Sequence, residues 1–310
     1  MDLLSAVLKE LRLDSAAYRV LDLRAPWRLR FDGGLRGVHV VVQGSCVLEL
    51  DDDGPGRDLH AGDLVVLPRA DSHILRSAGR ARAPELSSFD LARAAAGTRI
   101  EVGGVGESTV LVCGAFFFGD EDHPAVAGFP RSIHVPGRSG SAAPWLAGLT
   151  EALTAEAREA GPGSDVVMAR LSDALVTRAL RHHAETVDEP GWLRALGDPA
   201  LAAVLAAVHA DLAAPWTLPS MTRRAGLSRA AFAARFTATI GQPPMQYLHG
   251  CRIRRAMTLL GGGDATAAVV ASRVGYGSES AFSAAFVRYA GVPPGEYRRR
   301  TRTGREAGRW

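Results

Sequence analysis

The chemistry that stands out in this 310-residue sequence is that of guanidinium groups, and they are unevenly spread. Residues 191–310 hold 16 Arg against 6 Asp and Glu, a net of +10. Residues 1–190 hold the other 20 Lys and Arg against 27 acids, a net of −7. A planar guanidinium pairs with phosphate oxygens, and a basic module beside an acidic one is the electrostatic footprint of nucleic-acid binding. A helical domain with a solvated basic face is the competing explanation. Lys9 is the only lysine among the 36 basic residues.

The basic part also repeats itself after fifty positions. Arg223 falls on Arg273, Ser228 on Ser278, Ala231 on Ala281, Phe232 on Phe282 and Phe236 on Phe286. Gly241 falls on Gly291, Pro243 and Pro244 on Pro293 and Pro294, and Tyr247 on Tyr297. A fixed period means one supersecondary unit built twice. Each copy reads as two short helices and a tight turn. In the first, Leu218 to Ala225 is a helix, Gly226-Leu227 the turn, and Ser228 the cap of the next helix. Phe232 and Phe236, four apart, share one inward face. The second copy gives Val270 to Gly275, Tyr276-Gly277, a cap at Ser278, then Phe282 and Phe286. Between them Met245 to Leu260 carries Ile253, Met257 and Leu260 at helical spacing, with Arg252, Arg254 and Arg255, and reads as one long helix joining two helix-turn-helix units. Two such units place recognition helices in successive major grooves, about 34 Å apart.

On these residues the C-terminal third resembles the DNA-binding domain of the AraC/XylS family of transcriptional regulators. The resemblance is carried by Ala225-Gly-Leu-Ser-Arg-Ala-Ala-Phe232, Gly241-Gln-Pro-Pro244 with Tyr247-Leu248, Gly275-Tyr-Gly-Ser-Glu-Ser-Ala-Phe282 and Pro293-Pro-Gly-Glu-Tyr-Arg298. It implies that bases are approached by Arg229, Ala230, Ala233 and Ala234 in the first unit, and by Glu279, Ser280, Ser283 and Ala284 in the second. Phosphate contacts are expected from Arg223, Arg252, Arg273 and Arg288, and capping from Ser228 and Ser278. Ala234 departs from the family's longer polar or basic residue, and Cys251 from its more usual aromatic one. Alanine offers only contact with a thymine methyl, so direct base readout is expected to be modest. The implied partners are double-stranded DNA, a second copy of the chain and RNA polymerase, in an activator.

Composition bounds the rest. A 47% hydrophobic content supports two ordinary domains. Met1 to Leu13 reads as a short amphipathic helix rather than a signal segment. No stretch approaches eighteen uninterrupted apolar residues, so no membrane span is expected. Cys46, Cys113 and Cys251 are odd in number and widely spaced, which fits a reducing cytoplasm better than a disulfide framework.

From Tyr18 to Phe118 short β-type runs are broken by Gly, Asp and Pro, clearest at Gly37–Val42, Cys46–Leu50, Asp63–Leu67 and Thr109–Val112. Such spacing argues for a sandwich or barrel. Gly62-Asp-Leu-Val-Val-Leu-Pro68-Arg-Ala-Asp-Ser-His73 resembles the second cupin motif, with Ala70 where that family usually has glycine. A degraded first motif runs from Gly33 through His39, with Val41 at its second histidine position and Cys46 at its glutamate position. The resemblance implies a sensing barrel for a small-molecule effector. It also brings His39, Cys46 and His73 towards one axis, a set that suits zinc with an open position. A packed barrel without metal is the alternative. Cys113 and His123 are further candidates without a recognisable ligand spacing.

After Gly140 the pattern is helical. Pro144 to Ala160 and Asp165 to His183 read as two antiparallel helices, expected to dimerise the protein or to cover the barrel. His182 and His183 are adjacent on a helix, so they diverge and form no metal site. The expected fold class is α+β: an N-terminal cupin-like β-barrel, a two-helix segment, then an all-α domain with two helix-turn-helix units joined by a long helix. The expected boundaries are 1–140 for sensing, 141–187 for dimerisation, 188–200 as linker, 201–300 for DNA binding, and 301–310 as a disordered tail. The rival from another class is a metal-dependent cupin dioxygenase or isomerase with an accessory helical domain. Val41 and the complete helix-turn-helix pair count against it.

Overall fold

The computed structural model describes residues 2–51, 54–79, 83–95, 99–119, 124–137, 144–159, 161–186, 190–262 and 265–307. The chain forms two compact units, one of Leu13–Gly119 with Phe129–Thr186, the other of Met1–Arg12, Asp120–Gly128 and Val187–Trp310. These differ from the expected boundaries. Helix α1 (Leu3–Leu11) and the short helix α3 (Pro124–Ala127) belong with the C-terminal part. The reason is packing. Helix α1 is capped by Asp2 and buries Leu3, Leu4, Val7 and Leu11, a face that needs a helical partner. Residues 188 and 189 of the expected linker, and residue 187 before it, lie outside the described residues.

The first unit is the β-rich one. Its strands are β1 (Leu13–Arg24), β2 (Arg28–Phe31), β3 (Arg36–Gln43), β4 (Ser45–Leu50), β5 (Arg57–His60), β6 (Leu64–Leu67), β7 (His73–Ser77), β8 (Glu85–Ser87), β9 (Arg99–Gly103), β10 (Ser108–Phe118) and β11 (Ile133–Val135). Among the described residues they form a six-stranded sheet, ordered β11-β6-β3-β10-β1-β9, and a five-stranded sheet, ordered β5-β4-β7-β2-β8. Leu21, Trp27, Leu29, Val41, Leu48 and Leu75 share the core between them. Helix α2 (Ser88–Ala94) lies against β2 and β8. Helices α4 (Pro144–Glu159) and α5 (Ser164–Thr186) lie on the first sheet, with α5 against β1, β6 and β11. That explains why all four residues of β6 are buried: Val65 and Leu67 face the core, and the alternate pair faces the helix side. The inward face of α5 is Met168, Leu175, Val176, Ala179 and Leu180, so both helices are built as a cover for this sheet. At one point backbone and ring nearly touch. A Cβ on Gly114 would fall 2.0 Å from the Tyr18 ring, so only glycine fits there.

The second unit reproduces the fifty-residue period in three dimensions. A 3-10 turn (Arg194–Gly197) and helix α6 (Pro199–Ala210) lead into α7 (Leu218–Ala225), α8 (Arg229–Ile240), α9 (Pro244–Gly262), α10 (Ala267–Arg273), α11 (Glu279–Ala290) and α12 (Pro294–Ala307). Helices α8 and α11 begin and end fifty positions apart. Ser228 and Ser278 accept from the amides of Ala231 and Ala281, and Gly241 and Gly291 close the helices in the left-handed region at φ 86° and 75°. Phe232–Phe236 and Phe282–Phe286 ring centroids lie 5.5 and 5.6 Å apart. Each second Phe meets a tyrosine, Tyr247 at 5.7 Å or Tyr297 at 5.6 Å. Helix α12 runs through Ala307, so the expected disordered tail is helical that far; 308–310 lie outside the described residues. Within this unit His209 shares a 2.8 Å hydrogen bond with the Tyr247 hydroxyl, and the Glu10 carboxylate of α1 lies 3.9 Å from the other ring nitrogen.

Phe282→Ala is expected to destabilise the helical unit by about 3–5 kcal/mol, because it empties the centre of a closed aromatic cluster. Phe89, 59% exposed, should tolerate alanine within about 0.5 kcal/mol. Thermal unfolding of the two variants beside the parent checks this, and equal midpoints would be incompatible with the packing.

Candidate functional site

The exposed faces of α8 and α11 follow from what their inner faces bury. With Phe232, Phe236 and Ile240 inside, Arg229, Ala230 and Ala234 are exposed and Ala233 is half-buried. With Phe282 and Phe286 inside, Glu279, Ser280 and Ala284 are exposed and Ser283 is half-buried. All eight sequence-predicted base-facing residues thus lie off the buried stripe. Ser228 and Ser278 use their oxygens as caps, and Ser278 lies 3.2 Å from the Ser280 hydroxyl. Arg223 and Arg273 sit exposed in the last turns of α7 and α10, and Arg288 is exposed near the end of α11. Arg235, on the same helix as Arg229, is instead held by Asp198 at 2.5 Å.

Arg252 does not fit the expected phosphate role. It is 7% exposed, and its Nε and Nη2 donate to the carbonyls of Leu212 at 2.9 Å and Ala214 at 2.8 Å. Its guanidinium is turned to backbone within the unit. The spacing carried a signal for this: Leu248, Arg252 and Ala256 recur at i, i+4 and i+8, on one buried face of α9. Arg254, two residues on, donates to the Tyr289 hydroxyl at 2.5 Å and lies over its ring.

In the β-rich unit the structure brings together two of the three expected metal ligands. His39 on β3 and His73 on β7 are buried, and their Nε2 atoms are 2.7 Å apart. Phe31 stacks on His73 with ring centroids 4.7 Å apart and planes 5° from parallel, and meets His39 edge-on. The Nδ1 of His73 lies 3.2 Å from the Asp71 carbonyl. A carbonyl only accepts, so His73 carries its proton on Nδ1 and His39 donates through Nε2. That leaves His39 Nδ1 a bare acceptor with no hydrogen-bond partner among the described residues. Burial holds both imidazoles neutral, His39 well below its ordinary range and His73 down to about 4. Gly37 makes room for the pair, since a Cβ there would lie 3.0 Å from His39 Nε2 and 3.3 Å from His73.

Cys46 is elsewhere. On β4 it is opposite Ser77, whereas His73 is opposite Leu50. Four residues of strand, about 13 Å, separate the two rungs. The thiol lies in the apolar core, and burial pushes it up to about 12, the reverse of what a thiolate ligand requires. The residues present therefore do not fit the expected zinc triad. Two zinc-bound nitrogens also stand about 3.3 Å apart at ordinary bond lengths, wider than this hydrogen-bonded pair. Among the described residues no three His, Cys, Asp or Glu side chains are grouped to hold a metal ion. Cys113 is likewise buried in the core with its thiol pushed up by burial, and His123 lies outside the described residues. Sequence reading passed over a cleft of about 390 Å3 at the β1–β9 edge, lined by Asp22, Arg24, Arg99, Glu101 and Ser108 among others.

Comparison with known proteins agrees with both halves. The family described as Cupin matches residues 2–185, and that described as Helix-turn-helix domain matches residues 221–300. An AraC-like transcription regulator of Streptomyces lividans is 37% identical over 96% of this chain and 98% of its own length. The RCS-specific HTH-type transcriptional activator RclR of Escherichia coli is 30% identical over 90% of this chain and 91% of its own. Among solved structures, the DNA-binding domain of AdpA in complex with a target DNA is similar at 33% identity, covering 36% of this chain and 99% of that one, with a TM-score of 0.34. No helix among the described residues is long and apolar enough to cross a membrane. The chain belongs to the AraC-like transcriptional regulators, with a cupin domain ahead of its pair of helix-turn-helix units.

Proposed function

We propose that this regulator is an effector-responsive activator, acting in the cytoplasm as a homodimer that lays α8 and α11 into successive major grooves and recruits RNA polymerase. The observation that carries the DNA-binding part is the doubled unit: two twelve-residue helices with the same caps and aromatic anchors, each leaving a face of small and polar residues open. Arg229, Ala230, Ala233 and Ala234, with Glu279, Ser280, Ser283 and Ala284, face the bases on this reading. Arg223, Arg273 and Arg288 hold phosphates. Alanines allow close approach but offer little hydrogen bonding, so affinity rests mainly on the backbone contacts. The reading is non-enzymatic, supported by the near-full-length regulators to which the chain is similar.

The effector reading is supported by the histidine pair, a polar feature within an otherwise apolar core. A small molecule with a hydrogen-bond donor would satisfy His39 Nδ1 and stabilise whichever state it binds. The dimer reading is supported by the outer face of α5. Val167, Leu171 and Ala174 follow helical spacing, and Val167 is 44% exposed while Leu175 is fully buried. Exposed Gly148, Ala152 and Ala155 provide small residues on α4, which permit close helix approach.

Three outcomes follow from these readings. Arg223→Ala or Arg273→Ala in the full chain should weaken DNA binding evenly across sequences and lower the salt slope by about 1 each; an unchanged slope would remove them from the phosphate set. Val167→Glu with Leu171→Glu should yield monomers in sedimentation, and a variant that stays dimeric would move the interface off this face.

The last outcome concerns pH. The unfolded chain takes up protons on both histidines near their ordinary 6.5, whereas His73 in the folded barrel resists down to about 4. The unfolded state then binds more protons, so stability is fully present above about 6.5 and is lost as pH falls from there towards about 4. Thermal melts across that window should show the loss, and His73→Gln should reduce it, leaving the part due to His39.

A further inference from the structure

Arg252 is tied to more than its own helix. The two carbonyls it holds, Leu212 and Ala214, lie in the loop that delivers Thr217, the N-cap of α7. That loop is itself fixed. The Asp211 carboxylate accepts from the amides of Ala213 and Ala214 at 3.0 Å each, and the Trp216 indole donates to the Asp211 carbonyl at 2.7 Å. On its other side the same guanidinium meets the turn of the second unit. A Cβ on Gly275 would lie 2.7 Å from Arg252 Nη2 and 2.8 Å from the Ala213 carbonyl oxygen. Gly275 also stands at φ +83°, so glycine is required there for backbone conformation and for space.

The two units do not use glycine alike. Gly226, in the turn of the first, has a positive φ but nothing within 4 Å of where a Cβ would go. Among the described residues, it is the second turn whose glycine is pressed against the other unit's entry loop, and Arg252 fills the junction. Helix α9 joins the units and is built into both, with Tyr247 against Phe236 and with Ile253, Ala256 and Leu260 in the core of the second. A guanidinium fork bonded to two carbonyls of the entry loop and packed on the opposing turn ties the units together a second time.

We propose that Arg252 is a positioning residue that fixes the relative orientation of the two recognition helices and so sets the half-site spacing the protein accepts in DNA. This rests on the reading that both units engage one duplex together. Arg252→Lys keeps the charge but reaches one carbonyl at most; Arg252→Gln keeps a planar donor without the charge. Each is compared with the full-length parent on a duplex that the parent selects from a random-sequence library. Derivatives carry one base pair added or removed between the two protected blocks, or have one block randomised. Adding a base pair turns one half-site by about 34° and shifts it by about 3.4 Å, so the parent should lose about tenfold or more in affinity.

Both variants should narrow that penalty to about threefold or less, while binding to the single-block duplexes stays near the parent's. The penalty is a ratio taken on one preparation, so partial unfolding cancels. Variants that keep the parent's full penalty, or that weaken in parallel on every duplex including the single-block ones, overturn the proposal. A parent that binds single-block duplexes as tightly as the selected one overturns the two-unit reading instead, and the proposal with it.

Discussion

The helical unit depends on one repeated contact: a phenylalanine pair four residues apart, closed by a tyrosine from the next helix. Phe232, Phe236 and Tyr247 form it once, and Phe282, Phe286 and Tyr297 form it again, with centroid separations that differ by about 0.1 Å. Edge-on and tilted rings at this distance gain beyond their area burial. The contact also dictates orientation. Once both phenylalanines of a helix point inward, the residues two positions from them, about 200° round the helix, must point out. The character of the outer face is therefore set by packing before DNA enters the question.

That outer face is poor in long side chains. Ala230, Ala233 and Ala234 in one helix and Ser280, Ser283 and Ala284 in the other leave Arg229 and Glu279 as the long groups on the reading surface. On the proposed reading, discrimination comes less from hydrogen bonds to base edges than from where the two helices are held. The junction at Arg252 and Gly275 then matters more than it would between units rich in direct contacts.

Much of this was legible in sequence because the signals were local. The serine caps and the stops at Gly241-Gln-Pro-Pro244 and Gly291-Val-Pro-Pro294 each act within a few residues and recur after fifty, and α7 and α8 fall where they indicate. The strands at Gly37–Val42 and Cys46–Leu50 were equally plain, being short apolar runs between turns. Long strand β1 was not, since Asp14, Ser15 and Asp22 interrupt its pattern and pairing with β9 and β10 supplies the structure. The grouping of α1 with the helical unit is a tertiary fact with no local trace. The same holds for Cys46, whose type suggested a ligand while the strand register placed it a rung pattern away from His73. Arg252 was misread because charge was taken as a sign of exposure, although its neighbours at four-residue spacing are buried.

The helical unit obtains its positive charge from arginine; from residue 191 onward there is no lysine, and Lys9 stands alone on α1. Guanidinium groups stay protonated well past the alkaline range met by living cells. They are also not substrates for the acylation that neutralises an ammonium group. The attraction of this surface for DNA is thus a constant, indifferent to acetyl donors and to alkaline stress. Lysine acetylation, which retunes the charge of many basic surfaces, therefore has no side chain to act on from residue 191 onward.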